Sequence, residues 1–248
     1  MSELEANLRS VQERIAAAAA RAGRNPDEIT LVAVTKTEPS DLILAAYELG
    51  LRHFGENRLE EAQEKVGELP GDVVWHMIGH IQSRKARDVV PLFQWVHSID
   101  RLKIARRLNR YAADQDGRLP VLLECNVSGE ESKYGFAADR CMEDGPEGEE
   151  QRQALWAAVK EMVGLPHLRV AGLMTMAPIV ADAEQTRPVF RRLRRLRDEL
   201  AEAFPGAGWQ HLSMGMTDDF EVAIEEGATM VRVGRAIFEP GRPIWCAI

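Results

Sequence analysis

Two kinds of segment alternate along the chain. Short runs rich in β-branched and apolar residues are each followed by a longer run whose apolar residues recur every three or four positions. The strand-like runs are 29–35 (ITLVAVT), 51–55 (LRHFG), 73–79 (VVWHMIG), 95–99 (WVHSI), 120–127 (PVLLECNV), 169–175 (RVAGLMT), 210–214 (QHLSM) and 229–233 (TMVRV). Helical spacing is found over 40–50, 58–68, 82–90, 101–115, 154–163, 183–204 and 219–226. Eight strands alternating with helices predict a parallel (β/α)8 TIM barrel, with an open doubly wound sheet as the other architecture this pattern permits. An additional helix over 3–22, with alanines at 16–20 and a stop at Gly23 and Asn25-Pro26, precedes the first strand and is expected to cover part of the barrel.

Two segments stand outside this rhythm. Residues 139–153 (DRCMEDGPEGEEQRQ) are acidic, hold Gly145, Pro146 and Gly148, and have few apolar anchors, which predicts a mobile surface loop. Residues 187–197 (RPVFRRLRRLR) are strongly basic, but Val189, Phe190, Leu193 and Leu196 keep helical spacing. That pattern predicts the solvated outer face of a barrel helix rather than a nucleic-acid patch.

Composition narrows the function classes. The chain has 248 residues, 45% apolar and 28% charged, with a formal net charge of −8. This length suits one barrel domain spanning 1–248. The negative balance argues against nucleic acid as a partner, because phosphate backbones are held by excess Lys and Arg. No run reaches the roughly 18 apolar residues that a membrane helix needs. The N-terminus is charged from its first residues and has no signal-peptide core. Three cysteines, Cys125, Cys141 and Cys246, without disulfide or zinc spacing, predict reduced structural thiols and a cytoplasmic protein.

In a parallel barrel, chemistry collects at the carboxyl ends of the strands. There the chain places Lys36, then Glu56 and Asn57, then His80, Gln82 and Ser83, then Ser98 and Asp100, then Asn126 and Ser128, then Thr175. The seventh and eighth strands exit into Ser213-Met214-Gly215-Met216-Thr217 and Arg232-Val233-Gly234-Arg235. Lys36 follows the apolar run LVAV. A lysine at that opening is partly desolvated, which favours a neutral, nucleophilic amine, although position alone also fits a lysine snorkelling to solvent. The last two exits offer a hydroxyl, backbone N–H groups, glycines and a helix start, the elements of a phosphate cup. A phosphate cup facing a desolvated lysine points to a phosphorylated aldehyde or ketone, which leaves both pyridoxal phosphate and a sugar phosphate open. His76 and His80 lie four apart on a strand and its exit, where that spacing does not pair them, so no metal site is expected.

The stretches LVAVTKTEP (31–39), HFGENRLEEAQEK (53–65), WHMIGHIQSRKAR (75–87), VHSIDRLKIARRLN (96–109), SKYGF (132–136), VAGLMTMAP (170–178), LSMGMTDDFEVAIEEG (212–227) and VRVGRAIF (231–238) run through nearly the whole chain. Together they closely resemble the pyridoxal phosphate homeostasis protein family, of the alanine racemase N-terminal-like barrel class. The resemblance implies that Lys36 carries pyridoxal 5′-phosphate (PLP), the vitamin B6 cofactor, as an internal aldimine. It implies phosphate contacts from Ser213, Gly215, Met216, Gly234 and Arg235, and a pocket that includes Asn57 and His80. It also implies that Arg232 faces the pyridine nitrogen. An arginine lends that nitrogen no proton, so the ring stays a weak electron sink. Glu38, Arg58 and Arg84 depart from the family pattern, where lysine, tyrosine and asparagine are usual, and bear on exchange and surface charge at the rim.

The same resemblance admits a racemase-like enzyme. Racemases of this class use a tyrosine from a further β-domain as second base, and the chain ends at Ile248, about where a barrel closes. Tyr47 and Tyr111 fall in outer helices, and Tyr134 in a loop. The expectation is therefore a monomeric carrier without catalytic turnover, which buffers PLP and passes it to apo-enzymes. A Schiff-base aldolase is the remaining alternative. Lys133, expected to be exposed on its polar loop, is a candidate secondary amine.

Overall fold

The computed structural model describes residues 2–115 and 117–239. Cys246 lies outside the described residues. The strands are β1 (Thr30–Val34), β2 (His53–Glu56), β3 (Val74–Met77), β4 (Trp95–Ile99), β5 (Leu119–Asn126), β6 (Phe136–Ala137), β7 (Leu168–Met174), β8 (His211–Ser213) and β9 (Met230–Val233). Every pairing is parallel. The order β1-β2-β3-β4-β5-β7-β8-β9 returns to β1, with the β4–β5 and β9–β1 pairings closing the ring. A closed eight-stranded barrel is therefore observed, and the open sheet is not. The short β6, unforeseen in the sequence, pairs with the outer part of β5 at Cys125 and Asn126.

Strand alternation divides the interior into two layers. One set of side chains, including Phe54, Val96, Leu123, Leu173, Val231 and Val233, packs outward under the helices. The other faces the lumen, where Leu122, Ala171, Met174 and Met230 form a small apolar cluster. Arg232 lies between Val231 and Val233 in β9, and Glu124 between Leu123 and Cys125 in β5, so both face the lumen; both are buried.

The helices are α1 (Glu3–Arg21), α2 (Ser40–Glu48), α3 (Leu59–Val66), α4 (Ala86–Val89), α5 (Leu102–Tyr111), α6 (Pro146–Val163), α7 (Arg187–Ala203), α8 (Phe220–Glu225) and α9 (Arg235–Phe238). α1 is capped by Ser2, whose hydroxyl accepts from Glu5 N–H, and buries Leu8, Val11, Ile15, Ala18 and Ala19. It lies on α8 and α9. Arg14 pairs with Glu221, and Asn7 donates to Ile237 O, so the helix clamps the elements that follow the last two strands.

One expectation needs correction. The acidic segment is not one loop: α6 begins at Pro146, eight residues before the predicted start at 154. Gly145 enters at φ 116° and Pro146 takes the first helical position, where its missing N–H costs nothing. The basic run forms the expected outer helix, burying Val189, Phe190, Leu193 and Leu196, and several of its arginines are engaged. Arg187 and Arg191 both reach Glu226, at 2.9 and 3.0 Å, Arg192 donates to Val127 O, and Arg197 pairs with Asp198. Among the described residues, no helix is long and apolar enough to cross a membrane.

Candidate functional site

Lys36 emerges half-buried from β1 in a tight turn closed by Glu38 N–H on Thr35 O. The turn is pinned on both sides. Lys65 Nζ donates to Thr35 O and to Glu56 Oε1, each at 2.8 Å, and Thr35 Oγ1 donates to the same carboxylate oxygen at 2.6 Å. Thr37, at φ 67°, is the one non-glycine with positive φ among the described residues, and its N–H donates to Glu61 Oε2. A β-branched residue in that region is strained by about 1–3 kcal/mol, which the surrounding bonds offset. Glu56 is fully buried. Burial pushes its carboxyl above the ordinary value against the pull of Lys65 and Thr35. The rim lysine thus stands on a buried ion pair. Lys65 was not singled out in the sequence, since its i+9 relation to Glu56 carries no local signal.

β9 pairs with β1 through Val32↔Arg232 and Ala33↔Val233, so Gly234 and Arg235 exit beside the strand end that carries Lys36. Gly234 sits against Val34: a Cβ there would lie 3.1 Å from Val34 O. Gly215, at φ 92°, packs against α8, where a Cβ would meet Ala223 Cβ at 2.6 Å and Phe220 Cα at 2.8 Å. Gly215→Ala is expected to cost about 2–4 kcal/mol, combining left-handed strain with overpacking. Thermal unfolding that matches the native chain would refute this. Met216 N–H is taken by Asp219 Oδ1 at 2.7 Å, so not all of the N–H groups expected in this loop face a ligand. The two loops are tied by Arg235 to Asp218 and by Ala236 N–H to Thr217 Oγ1. On their outer flank they line a cleft of about 830 Å³ that also includes Asn7 and Arg14.

Below the rim, Arg232 is 4% exposed and donates to Ser213 Oγ at 2.6 Å and Thr175 O at 2.9 Å. Burial lowers its guanidinium to about 10, opposed by Asp219 and Glu124. Ser213 is fully buried and hydrogen-bonded to Arg232 and His97. Its hydroxyl stands at the end of β8, two residues before Gly215, and is engaged by the arginine and by His97.

The exits of β2 and β3 touch, since a side chain on Gly79 would collide with Asn57 O. This brings half-buried Asn57 near His80. His80 Nδ1 lies 2.8 Å from Asp100 Oδ2, and Asp100 also accepts from Arg101. The His80 ring stacks on Tyr134 with centroids 4.2 Å apart and planes 27° from parallel. Tyr134 therefore reaches the rim, while Tyr47 and Tyr111 stay on outer helices. Lys133 is not exposed as expected: its side chain is 16% exposed and paired with Glu130. Other rim residues are structural, Thr175 Oγ1 donating to Cys125 O and Ser98 Oγ to Gly79 O. Cys125 and Cys141 are buried thiols. Burial raises both, Cys141 to about 11, which removes them as nucleophiles near neutral pH. Among the described residues no metal-ligand cluster is found.

The mouth thus gathers an amine, a buried guanidinium and two glycine loops that lead into helices. This donor set suits a phosphorylated aldehyde, with the negative group at the loops.

Comparison with known proteins agrees. The family described as alanine racemase, N-terminal domain, matches residues 4–240. The pyridoxal phosphate homeostasis protein of Pseudomonas aeruginosa is 46% identical over 239 residues, 96% of each chain. The structure of PipY from Synechococcus elongatus with PLP bound superposes with a TM-score of 0.75 at 33% identity, covering 92% of this chain and 99% of that one. Alanine racemase of Clostridium difficile shares the barrel, with a TM-score of 0.67 at 15% identity; 96% of this chain corresponds to 56% of that one. A match of this extent, over a closed barrel whose first strand delivers Lys36 to a rim of glycine loops, means that the chain belongs to the pyridoxal phosphate homeostasis protein family within the alanine racemase N-terminal domain class.

Proposed function

We propose that this chain is a single-domain PLP carrier that holds the cofactor on Lys36 and releases it to apo-enzymes in the cytoplasm, acting as a monomer without turnover of its own. The observation that carries the reading is the β1–β9 register, which sets Lys36 beside Gly234 and Arg235 above the buried Arg232. PLP supplies an aldehyde that condenses with an amine and a ring that can act as an electron sink. The residues here favour the first property over the second. Lys36 is the amine. The loops at Gly215–Met216 and Gly234–Arg235 receive the phosphate, and Asn57 and His80 border the ring. Arg232 fits the pyridine nitrogen as a donor that keeps its own proton. The PLP-bound PipY structure and the name of the Pseudomonas relative support the same cofactor.

The test is an absorbance spectrum of purified protein, with PLP added if needed, followed by borohydride reduction and peptide mapping. Yellow protein with the reduced adduct on Lys36 is expected. Lys36→Ala is expected to lose the adduct entirely and retain weaker binding through the phosphate loops. Protein that takes up no PLP defeats the reading. A racemase-like reading is favoured by one feature, the Tyr134 ring at the rim. Amino-acid racemisation at enzyme-like rates, lost in Tyr134→Phe, would establish it in place of the carrier.

A further inference from the structure

A line of polar side chains crosses the barrel lumen, and nothing in the rim chemistry calls for it. His53 Nδ1 lies 2.9 Å from His76 Nε2, His76 Nδ1 lies 2.9 Å from His97 Nε2, and His97 Nδ1 lies 2.9 Å from Ser213 Oγ. Ser213 Oγ also accepts from Arg232 at 2.6 Å. The line starts at half-buried His53, at the beginning of β2, and ends beneath the mouth. His76 and His97 are fully buried. Burial, with the neighbouring His53, His211 and Arg232, holds these two imidazoles well below their ordinary value, and burial lowers His53 as well. All three rings are then neutral near pH 7, each with one N–H and one bare nitrogen.

The direction of donation follows from the far end. Arginine only donates. Ser213 Oγ spends a lone pair on Arg232, and its own proton is free for the bare Nδ1 of His97. His97 then carries its proton on Nε2 and donates to His76 Nδ1. His76 likewise donates from Nε2 to His53 Nδ1. In the reverse order both Arg232 and His97 donate to Ser213 Oγ. The serine proton then has no acceptor among the described residues, a full hydrogen bond lost at a buried position.

We infer that His76 and His97 are positioning residues for Arg232, forming with Ser213 a directional hydrogen-bond line that fixes the guanidinium below the rim. That the fixed guanidinium serves bound PLP rests on the function proposed above; the line itself does not.

The experiment begins with PLP-free protein and nitrogen-resolved NMR of the histidines. His76 and His97 are expected as neutral Nε2–H tautomers with bare Nδ1, and a protonated His97 Nδ1 overturns the inference. Exchange of the Arg232 guanidinium protons is then followed in variants. Ser213→Ala and His97→Phe are each expected to speed it about tenfold or more, the scale of one hydrogen bond to a charged group. His97→Gln, whose amide can accept from Ser213 and donate to His76, is expected to return exchange to within about threefold of native. Ser213→Ala removes only one oxygen atom, so it reports even if His97→Phe does not fold. Unchanged Arg232 exchange in Ser213→Ala overturns the inference, whatever happens to thermal stability. PLP titration supplies the last arm: affinity is expected to fall in proportion to the loosening of Arg232. Native binding with undiminished affinity in Ser213→Ala counts against the line's role at the site. Absence of PLP uptake by the native chain, with tautomers and exchange as expected, sinks the proposed function and leaves the line standing.

Discussion

Lys65→Met is expected to lower folding stability by about 3–5 kcal/mol at mildly alkaline pH, the usual cost of stranding one member of a buried ion pair. Lys65 is 8% exposed along its side chain and Glu56 is not exposed at all. Among the described residues, removing the amine leaves the carboxylate with only the Thr35 hydroxyl as donor. Glu56 can escape by binding a proton. Its carboxyl already lies above the ordinary value, and losing Lys65 raises it further. A raised acid contributes stability that is present at low pH and is lost as pH rises through its folded value. The penalty should therefore shrink as pH is lowered, which urea unfolding at two pH values measures directly. A second change, Glu56→Gln, removes the stranded charge, and the double variant is expected to lie within about 1 kcal/mol of native, since buried pairs are often replaceable as a unit. A single variant as stable as native at high pH would show that the pair is dispensable. The loss should also reach the site, because the same amine holds Thr35 O at the turn that presents Lys36.

Glu124→Gln is expected to act in the opposite direction. Glu124 is 3% exposed in the lumen, and its carboxyl is pushed up to about 7, chiefly by burial, then by Asp100, with Arg232 pulling the other way. Its ordinary value is 4.5, so the folded state holds the proton more tightly than the unfolded chain. The resulting stabilisation is complete below that ordinary value and disappears as pH rises to about 7. Glutamine keeps the shape and never ionises. Relative to native, the variant should gain about 3 kcal/mol across that window and no more above it, from the span between 4.5 and about 7 at 1.36 kcal/mol per unit of pH. Denaturant midpoints as a function of pH decide the matter; a difference independent of pH would mean that folding does not raise the carboxyl.

All eight barrel strands were legible in the sequence because each is a short β-rich run ended by polar or glycine residues, with an apolar face packed under the helices. The β6 pair at Phe136–Ala137 was not, since two residues carry no periodicity. The start of α6 was hidden by its exposure: only Gly148, Leu155, Ala158, Val159 and Met162 are buried, so its first two turns look like solvent-facing loop. At the mouth, Lys36, Gly215 and Gly234 were readable from their place after strands. The engagement of Ser213 by Arg232 and His97 was not, and neither was the stacking of Tyr134 on His80, because both depend on strand stagger and loop path rather than on spacing along the chain. The histidine line was invisible for the same reason. His53, His76 and His97 are separated by 23 and 21 residues and meet only once the barrel closes.

The division of the interior into an apolar outer layer and a hydrogen-bonded lumen has an evolutionary side. Under the helices, residues such as Val96, Leu123 and Val231 need only volume and greasiness, so drift among aliphatic side chains there should be nearly silent. In the lumen, His76, His97, Ser213 and Arg232 each depend on the identity of the next, so a single change is damaging and an acceptable one must be accompanied by another. A library of random variants should thus contain two populations, broad tolerance in one shell and paired substitutions in the other. The boundary between them is the thickness of one β-strand.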